Sequence, residues 1–280
     1  MQLLAPAKIN LWFAIKGRRE DGFHEIETLM APVSLFDRVS IKKTGVRNGP
    51  IQFACNDKSI PSGPDNLVVR AADSFRRAAN IADGIEIALE KTIPHGAGLG
   101  GGSSDAASTL IGLNELFEAR LPKEKLMKLA AEVGSDVPFF LTQSSALCRG
   151  RGEIVERARL PARLRLLLVK PDFGVPTPWA YSKWKTAREL PGIDYAPQEF
   201  AGIQFQNDLE RPVFEKFVVL AQVKTWLRRQ PEVAVALMSG SGSTVFAVLR
   251  DGADSTPVAT RARQEIDPQL WTAACESIAG

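Results

Sequence analysis

One segment of the chain, PHGAGLGGGSSDAAS at Pro94–Ser108, constrains the fold more than any other. Five glycines lie within residues 96–102, and two serines and several small residues follow them. Glycine allows positive φ and close approach of the backbone to a ligand, and the free N–H groups at the start of a helix attract anions. The segment therefore predicts a phosphate-binding loop that opens a helix at about residues 103–118. The competing interpretation, a loop that only packs against a strand, has no need of so many glycines.

Three familiar phosphate-binding motifs do not fit this loop. A Walker A loop requires a Gly-Lys pair, which the chain lacks. Gly96, Gly98 and Gly101 match GxGxxG, but a dinucleotide-binding fold places that pattern after the first strand of a βαβ unit. Here the loop lies in the middle of an α+β pattern. Protein kinases also use GxGxxG, but their HRD signature is absent.

Composition limits the class of protein further. A chain of 280 residues with 45% hydrophobic and 24% charged residues can bury a sizeable core. The net charge of +3 suits an anionic small molecule, and the scattered basic residues do not predict a nucleic-acid partner. Three separated cysteines argue against a disulfide framework or a zinc site. The first residues have no basic n-region before an apolar core and do not resemble a signal peptide, and no run approaches the ~18 apolar residues of a membrane span, so we expect a cytoplasmic protein without a membrane partner.

Hydrophobic periodicity predicts the secondary structure. Alternation indicates strands at 3–15, 26–35, 38–43, 85–90, 146–155 and 164–169. Helices are expected at 66–80, with Asn66 as the N-cap, and at 122–134, 178–185 and 207–229. The remaining order of strand, Gly/Ser loop, strand, helix and strand suits an antiparallel sheet with helices on one face. A change in the character of the sequence near Ala158 predicts two domains, 1–158 and 159–280.

The glycine segment resembles the central motif of the GHMP kinases, P-x-G-A-G-L-G-(G)-G-S-S-x-A. In the expected order, PAKINL at 6–11 looks like the N-terminal motif of that superfamily, and MSGSGSTVF at 238–246 looks like its C-terminal glycine motif. DGFH at 21–24, DNLVVRA at 65–71 and GSDVP at 134–138 are similar to the branch that phosphorylates a cytidine diphosphate-linked methylerythritol. The resemblance implies an α+β fold of two lobes: an N-terminal α/β lobe like domain 2 of ribosomal protein S5, and a ferredoxin-like C-terminal lobe.

The resemblance also implies ATP and Mg²⁺ as cofactors, with transfer of the γ-phosphoryl group to the substrate's 2-hydroxyl in the non-mevalonate isoprenoid pathway. Asp136 would accept or orient the hydroxyl proton, and Lys8 would keep that aspartate charged. Without the resemblance, Asp136 is a turn aspartate and Lys8 is an edge-strand lysine that reaches water. Magnesium ligands are not assigned, although Ser104 and Asp105 are candidates at the helix start. ATP would be bound by Asn66 and by the glycine segment, namely Pro94, His95, Gly96, Ala97, Gly98, Leu99, Gly100, Gly101, Gly102, Ser103 and Ser104.

The implied substrate-binding residues lie in four separate segments: Asn10, Phe23, His24, Lys91 and Tyr181. Asn10 shares a strand face with Lys8, Phe23 and Tyr181 would stack on the two faces of the cytosine, and His24 would hydrogen-bond its edge. Phe23 stands where this branch usually has tyrosine, which preserves stacking. Trp179 and Trp184 compete with Tyr181 for its role. Lys91 is otherwise an ordinary surface lysine, and His95 has no role in the motif beyond its place on the loop surface.

Two alternatives remain open at this stage. A GHMP kinase of a smaller alcohol, such as homoserine or a mevalonate-type acceptor, would not need two aromatic faces for a base. A nucleotide-binding module without activity would not need both Lys8 and Asp136. For the assembly, we expect a monomer or a weak homodimer.

Overall fold

A long N-terminal hairpin organises the first sheet. In the computed structural model, which describes residues 1–278, strand β1 (Gln2–Arg18) pairs antiparallel with β2 (His24–Arg47). The two strands predicted over 26–43 are thus one strand, and the expected break is a bulge where Ala7 pairs with Val33 and Pro6 with Phe36. A second bulge follows Asn10. Bulges re-aim side chains and are frequent beside functional sites.

Six further strands complete this sheet, in the order β3-β4-β2-β1-β9-β8, with β5 on β2 and β6 on β5. The strand predicted over 146–155 is the β5–β6 hairpin. The β8–β9 pair was not predicted; it comes from the second half of the chain, and β9 runs parallel to β1. These strands are β3 (Ile51–Cys55), β4 (Asp83–Glu90), β5 (Ala146–Gly150), β6 (Ile154–Arg157), β8 (Gln198–Phe200) and β9 (Ile203–Asn207).

Four helices cover the outer face of the first sheet: α1 (Leu67–Ala78), α2 (Gly101–Leu116), α3 (Lys123–Val133) and α4 (Val137–Phe140). Asn66 caps α1 as predicted, because its side chain accepts a hydrogen bond from the Val68 N–H at 2.8 Å. Small residues let α2 lie close to the hairpin. A Cβ at Gly112 would come within 2.6 Å of the Leu3 side chain. Close packing at Gly112 therefore holds α2 against the sheet.

The second sheet is antiparallel, in the order β10-β11-β7-β12, as the strand pattern of the second half predicted. One face packs on the first sheet through residues such as Leu166 and Phe246, which meet Ile9 and Leu11. Helices cover the other face, and the long helix expected over 207–229 is broken at Phe217. These elements are β7 (Arg165–Lys170), α5 (Thr177–Lys183), α6 (Glu210–Lys216), α7 (Val218–Arg228), β10 (Val233–Met238), β11 (Val245–Leu249), α8 (Ser255–Glu265) and β12 (Trp271–Glu276).

The expected α+β architecture is therefore observed, as helices, two sheets and helices in four layers. The predicted boundary at Ala158 falls between β6 and β7 and stays a prediction, since β8 and β9 return to the first sheet. Across residues 1–278, no helix combines the length and the apolar character needed to cross a bilayer.

Candidate active site

The glycine segment forms a tight loop between β4 and α2. Gly96, Gly98 and Gly100 have φ values of +62°, +74° and +69°, in the left-handed region that favours glycine. Gly100 is the N-cap of α2 and provides no side-chain cap, so the first N–H groups of this helix are left for another partner. The loop lines a cavity of about 510 Å³. This arrangement suits an anion at the start of α2.

Two other segments fix the position of the loop. The Lys8 N–H of β1 donates to the Leu99 carbonyl at 2.9 Å, and the Thr244 N–H donates to the Ala97 carbonyl at 3.1 Å. The Ser239 hydroxyl donates to the Gly98 carbonyl at 3.0 Å. Residues 239–244 therefore brace the loop. A Cβ at residue 98 would collide with the Ser239 carbonyl oxygen, which explains why glycine is needed there.

Lys8, Asn10 and Asp136 meet beside the loop, although they lie far apart in the sequence. The Lys8 ammonium is buried, donates to Asn10 Oδ1 at 2.6 Å and lies 3.6 Å from Asp136 Oδ2. The Asn10 amide donates to the Thr28 hydroxyl at 2.8 Å. Asp136 precedes α4, and its side chain is 36% exposed. A buried ammonium thus lies beside a carboxylate that stays open to a ligand.

Asp136 stands where two cavities meet. The glycine loop, Asn66 and Lys8 line the first cavity, and a second cavity of about 620 Å³ is lined by Phe23, His24 and neighbouring residues. Both cavities are bordered by Ser103, Asp136, Thr177 and Tyr181. A phosphate donor in the first cavity and an acceptor in the second would therefore meet at Asp136.

Aromatic side chains characterise the second cavity. Phe23 is half exposed, and the Arg151 guanidinium lies 4.8 Å from its ring centroid. The His24 and Tyr181 ring centroids are 5.1 Å apart, and Trp184 meets His24 edge-on. The structure thus places Phe23, His24 and Tyr181 on one cavity, and their contacts with a base stay a prediction.

Tyr181 and Trp179 point to different surroundings. Tyr181 borders both cavities, whereas Trp179 packs edge-on against Phe217 and has the Lys216 ammonium over its ring. Of these two aromatic residues, Tyr181 is therefore the one available to a ligand between the cavities.

The protonation of His24 follows from its surroundings. Partial burial, together with the positive charges of Arg18 and Lys185, lowers the pKa of His24 below 6.5. The imidazole is therefore neutral at pH 7 and offers one donor and one acceptor. A neutral histidine of this kind can read the edge of a base.

Lys91 lies in a buried cluster that the sequence did not reveal. Its ammonium binds the carboxylates of Asp37 and Asp105, the latter at 2.9 Å, and Asp37 also accepts the Thr92 and Ile93 N–H groups. Burial raises the pKa of Asp105 to about 7, even though Lys91 opposes the shift. The charged residue within the apolar strand β2 was the available signal for Asp37. A direct contact of Lys91 with substrate stays a prediction.

Asn66 and His95 border the first cavity from its outer side. Both polar groups of the Asn66 side chain have partners, since its amide also donates to the Pro61 carbonyl at 2.7 Å. Asn66 thus fixes the loop before α1 as well as the helix start. His95 is exposed on the glycine loop, as expected.

Two buried polar atoms at the start of α2 bear on a metal ion. Within residues 1–278, Ser104 Oγ and Asp105 Oδ1 have no hydrogen-bond partner. The same part of the chain contains no group of three or more His, Cys, Asp or Glu side chains arranged for a metal. Magnesium commonly takes one or two carboxylates and completes its shell with phosphates and water. Asp105 borders the first cavity, whereas Ser104 is fully buried and lines neither cavity, so of the two only Asp105 lies where an ion that arrives with a phosphate ligand could reach it.

Comparison with known proteins agrees with this geometry. The GHMP kinases N terminal domain family matches residues 66–144, and the GHMP kinases C terminal family matches residues 197–267. A homoserine kinase from Cytophaga hutchinsonii shares the fold, with a TM-score of 0.67 at 17% identity over 100% of this chain and 94% of that one. The chain belongs to the GHMP kinase family.

The relatives with higher identity define the branch. A 4-diphosphocytidyl-2-C-methyl-D-erythritol kinase of Methylacidiphilum infernorum is 43% identical, covering 95% of this chain and 93% of the relative. One from Geobacter sp. strain M21 is 39% identical and covers 90% of each chain. A crystal structure of 4-(cytidine 5'-diphospho)-2C-methyl-D-erythritol kinase superposes with a TM-score of 0.78 at 36% identity, over 100% of both chains. The resemblance to this branch is confirmed, and so is the expected two-lobe fold.

Proposed function

We propose that this protein transfers the γ-phosphoryl group of ATP to the 2-hydroxyl of 4-diphosphocytidyl-2-C-methyl-D-erythritol, a step of isoprenoid precursor synthesis. One observation carries the proposal: the Lys8–Asp136 pair stands where the glycine-loop cavity joins an aromatic cavity. The names of the relatives supply the identity of the acceptor.

The chemistry needs positioning and charge stabilisation more than a strong base, because the transition state of phosphoryl transfer is loose. Asp136 accepts or orients the proton of the attacking hydroxyl, and Lys8 pairs with Asp136 across 3.6 Å. The N–H groups at the start of α2 stabilise the negative charge on the phosphates. Asn10, bonded to both Lys8 and Thr28, keeps the ammonium directed at the site.

The aromatic cavity supports a cytidyl acceptor over a smaller alcohol. Phe23 and Tyr181 offer two rings to a base, and stacking on an aromatic side chain contributes about 1–3 kcal/mol per base in nucleic-acid complexes. Neutral His24 provides both a donor and an acceptor for the edge of cytosine. Homoserine or mevalonate would leave these groups without a partner, which is the physical basis for selectivity.

Magnesium, location and assembly complete the proposal. When bound, Mg²⁺ would neutralise charge on the phosphate oxygens, and Asp105 at the start of α2, which borders the first cavity, is the candidate ligand. Residues 94–104 of the glycine loop and Asn66 would bind ATP. Lys91, whose ammonium pairs with Asp37 and Asp105, would lie near the bound nucleotides. We propose a cytoplasmic enzyme, monomeric or weakly dimeric, without nucleic-acid or membrane partners.

A coupled ADP-release assay tests the function. We expect turnover with the cytidyl substrate well above that with ATP alone, and no comparable rate with homoserine or mevalonate. Calorimetry should detect binding of CDP, and Tyr181→Ala, which removes a ring from the aromatic cavity, should weaken that binding. Equal rates with and without the cytidyl substrate would refute the proposal, and selective turnover of mevalonate or homoserine would favour that acceptor instead.

A further inference from the structure

A buried asparagine at the end of β9 has no role in the site described so far. Asn207 is 5% exposed. Its amide donates to two backbone carbonyls, those of Met238 and Gly240, at 2.7 Å each. Its Oδ1 accepts the Leu209 N–H at 2.9 Å. Both donors and one acceptor position of this amide thus bind the backbone, and two of these bonds fix the start of the 239–244 turn.

The turn that Asn207 holds lies directly against the catalytic lysine. A Cβ at Gly240 would be 3.1 Å from Asn10 Oδ1 and 3.4 Å from Lys8 Nζ. The Asn10 N–H donates to the Ser239 hydroxyl at 3.3 Å. The backbone at 239–240 therefore forms one wall of the pocket around the Lys8 ammonium, and a shift of this wall would displace both Lys8 and Asn10.

The residues that follow Asn207 tie the same turn to β1. Asp208 accepts the Ile15 N–H at 2.9 Å, and its own N–H donates to the Phe13 carbonyl at 3.0 Å. Glu210 accepts the Met238 N–H at 3.0 Å and forms a buried ion pair with Lys224. Residues 207–210 thus join the strand that carries Lys8 to the turn that contacts it.

We propose that Asn207 is a positioning residue for phosphoryl transfer, which acts through the Met238 and Gly240 carbonyls on Lys8 and Asn10. The proposal rests on the catalytic roles given above to Lys8 and Asp136. Loss of the amide leaves two buried carbonyls without their donor, so the turn must move to find other partners. A misplacement of about 1 Å in a catalytic constellation can reduce the rate by about 100-fold.

The chain provides a matched control in Gln198 of β8. Gln198 is also buried, at 9% exposure, and its amide binds the same strand β10 at Ala236, donating to the carbonyl at 2.8 Å and accepting the N–H at 3.2 Å. Removal of either side chain takes hydrogen bonds from β10, but only Asn207 touches the turn beside Lys8. The comparison therefore separates a positioning effect from a general loss of stability.

The experiment measures kcat, the KM for each substrate and the melting temperature of Asn207→Ala and Gln198→Ala in the full chain. Similar decreases in melting temperature are expected for both variants. We expect kcat to fall by about 10- to 100-fold in Asn207→Ala, with the KM for ATP within threefold of wild type, while Gln198→Ala keeps its kcat. A kcat for Asn207→Ala within twofold of wild type, or equal losses of kcat in both variants, would overturn the proposal.

A second variant covers the case in which Asn207→Ala does not fold. Asn207→Asp keeps the shape and the acceptor for the Leu209 N–H but loses both donors, so its kcat should fall by at least the same factor. A folded Asn207→Asp with wild-type kcat would equally overturn the proposal. Asp136→Asn, assayed in parallel, tests the proposed catalytic pair separately from the role of Asn207. If Asp136→Asn keeps full activity, the proposed catalytic pair is wrong, whatever the Asn207 variants show.

Discussion

Lys8 Nζ and Asp136 Oδ2 lie 3.6 Å apart, one atom almost fully buried and the other at the junction of two cavities. The pair combines a buried ammonium with a carboxylate that a ligand can reach. A carboxylate held beside a fixed cation and open to both cavities has the position that a residue orienting a hydroxyl proton requires.

Asp136→Asn should therefore lower kcat by about 10²- to 10⁴-fold, the usual contribution of a general base. ATP affinity should change little, because the glycine loop is intact. Steady-state kinetics and calorimetry with a non-hydrolysable ATP analogue measure both quantities. Asp172→Asn, which changes an exposed carboxylate, is the control and should retain full kcat. An active Asp136→Asn would remove Asp136 from the mechanism.

Gly98→Ala should destabilise the fold and weaken ATP binding. The residue has a φ of +74°, and the new Cβ would collide with the Ser239 carbonyl and lie 2.9 Å from that of Gly242. Overpacking and strain of this kind cost about 1–3 kcal/mol each. Gly102→Ala is the matched control for stability, because its Cβ would meet only Leu67, at 3.8 Å, within α2. The melting temperature of Gly98→Ala should therefore fall, whereas that of Gly102→Ala should rise or lie several degrees above that of Gly98→Ala.

Lys91→Met should be strongly destabilising, by about 3–5 kcal/mol, because it leaves two buried carboxylates without their cation. Lys42→Met, which breaks an exposed pair with Glu86, should change stability by less than ~1 kcal/mol. Urea unfolding measures both free energies. A loss in Lys91→Met no larger than that in Lys42→Met would show that the cluster contributes little.

The same variant should have a characteristic pH dependence. Burial raises the pKa of Asp105 to about 7, above its value in the unfolded chain, and loss of Lys91 raises it further. The folded state then binds an extra proton as the pH falls, so its stability increases toward acid. The decrease in the free energy of unfolding caused by Lys91→Met should therefore be smaller at pH 6 than at pH 8.

His24 should titrate below pH 6.5 in the folded protein. Burial and the charges of Arg18 and Lys185 lower its pKa, so Arg18→Gln should move the titration upward. The chain has two histidines, and His95→Asn therefore assigns the two imidazole resonances in an NMR titration. The KM for the cytidyl substrate should rise as pH falls through this pKa, because the protonated ring has lost its acceptor. A His24 pKa above 6.5 would contradict the expected neutral form.

The glycine loop, the Asn66 cap and the strands with clear alternation could be predicted because local chemistry determines them. Five glycines before small residues predict a loop and a close-packed helix, which the structure has at α2. Lys8 and Asp136 could be paired only through the resemblance, since nothing local relates a strand lysine to a distant turn aspartate. The prediction of one helix over 207–229 was wrong, because the helix breaks at Phe217. The apolar periodicity continues on both sides of the break and therefore does not reveal it.

Long-range pairing was the part that sequence patterns could not supply. The short strands β8 and β9 carry few β-branched residues, and β1, the strand with which β9 pairs, lies at the other end of the chain. The Lys91 cluster was missed for a similar reason, because Asp37 and Lys91 are brought together by the β2–β4 register. Asn207 gave no signal, since a buried amide is recognised by the carbonyls it meets.

The return of β9 to the edge of β1 has a consequence for synthesis on the ribosome. Until residue 207 has emerged, the strand that carries Lys8 and Asn10 has an open edge at Trp12 and Phe13, where β9 later pairs with it, and an open edge is a template for aggregation. The amino-terminal half can therefore form its hairpin and helices early, and its glycine loop covers β1 at Lys8, but the edge at Trp12 and Phe13 is paired only by β9 from the later half. Folding of the two halves and assembly of the active site thus finish together, and truncated chains should aggregate rather than accumulate as a stable half-enzyme.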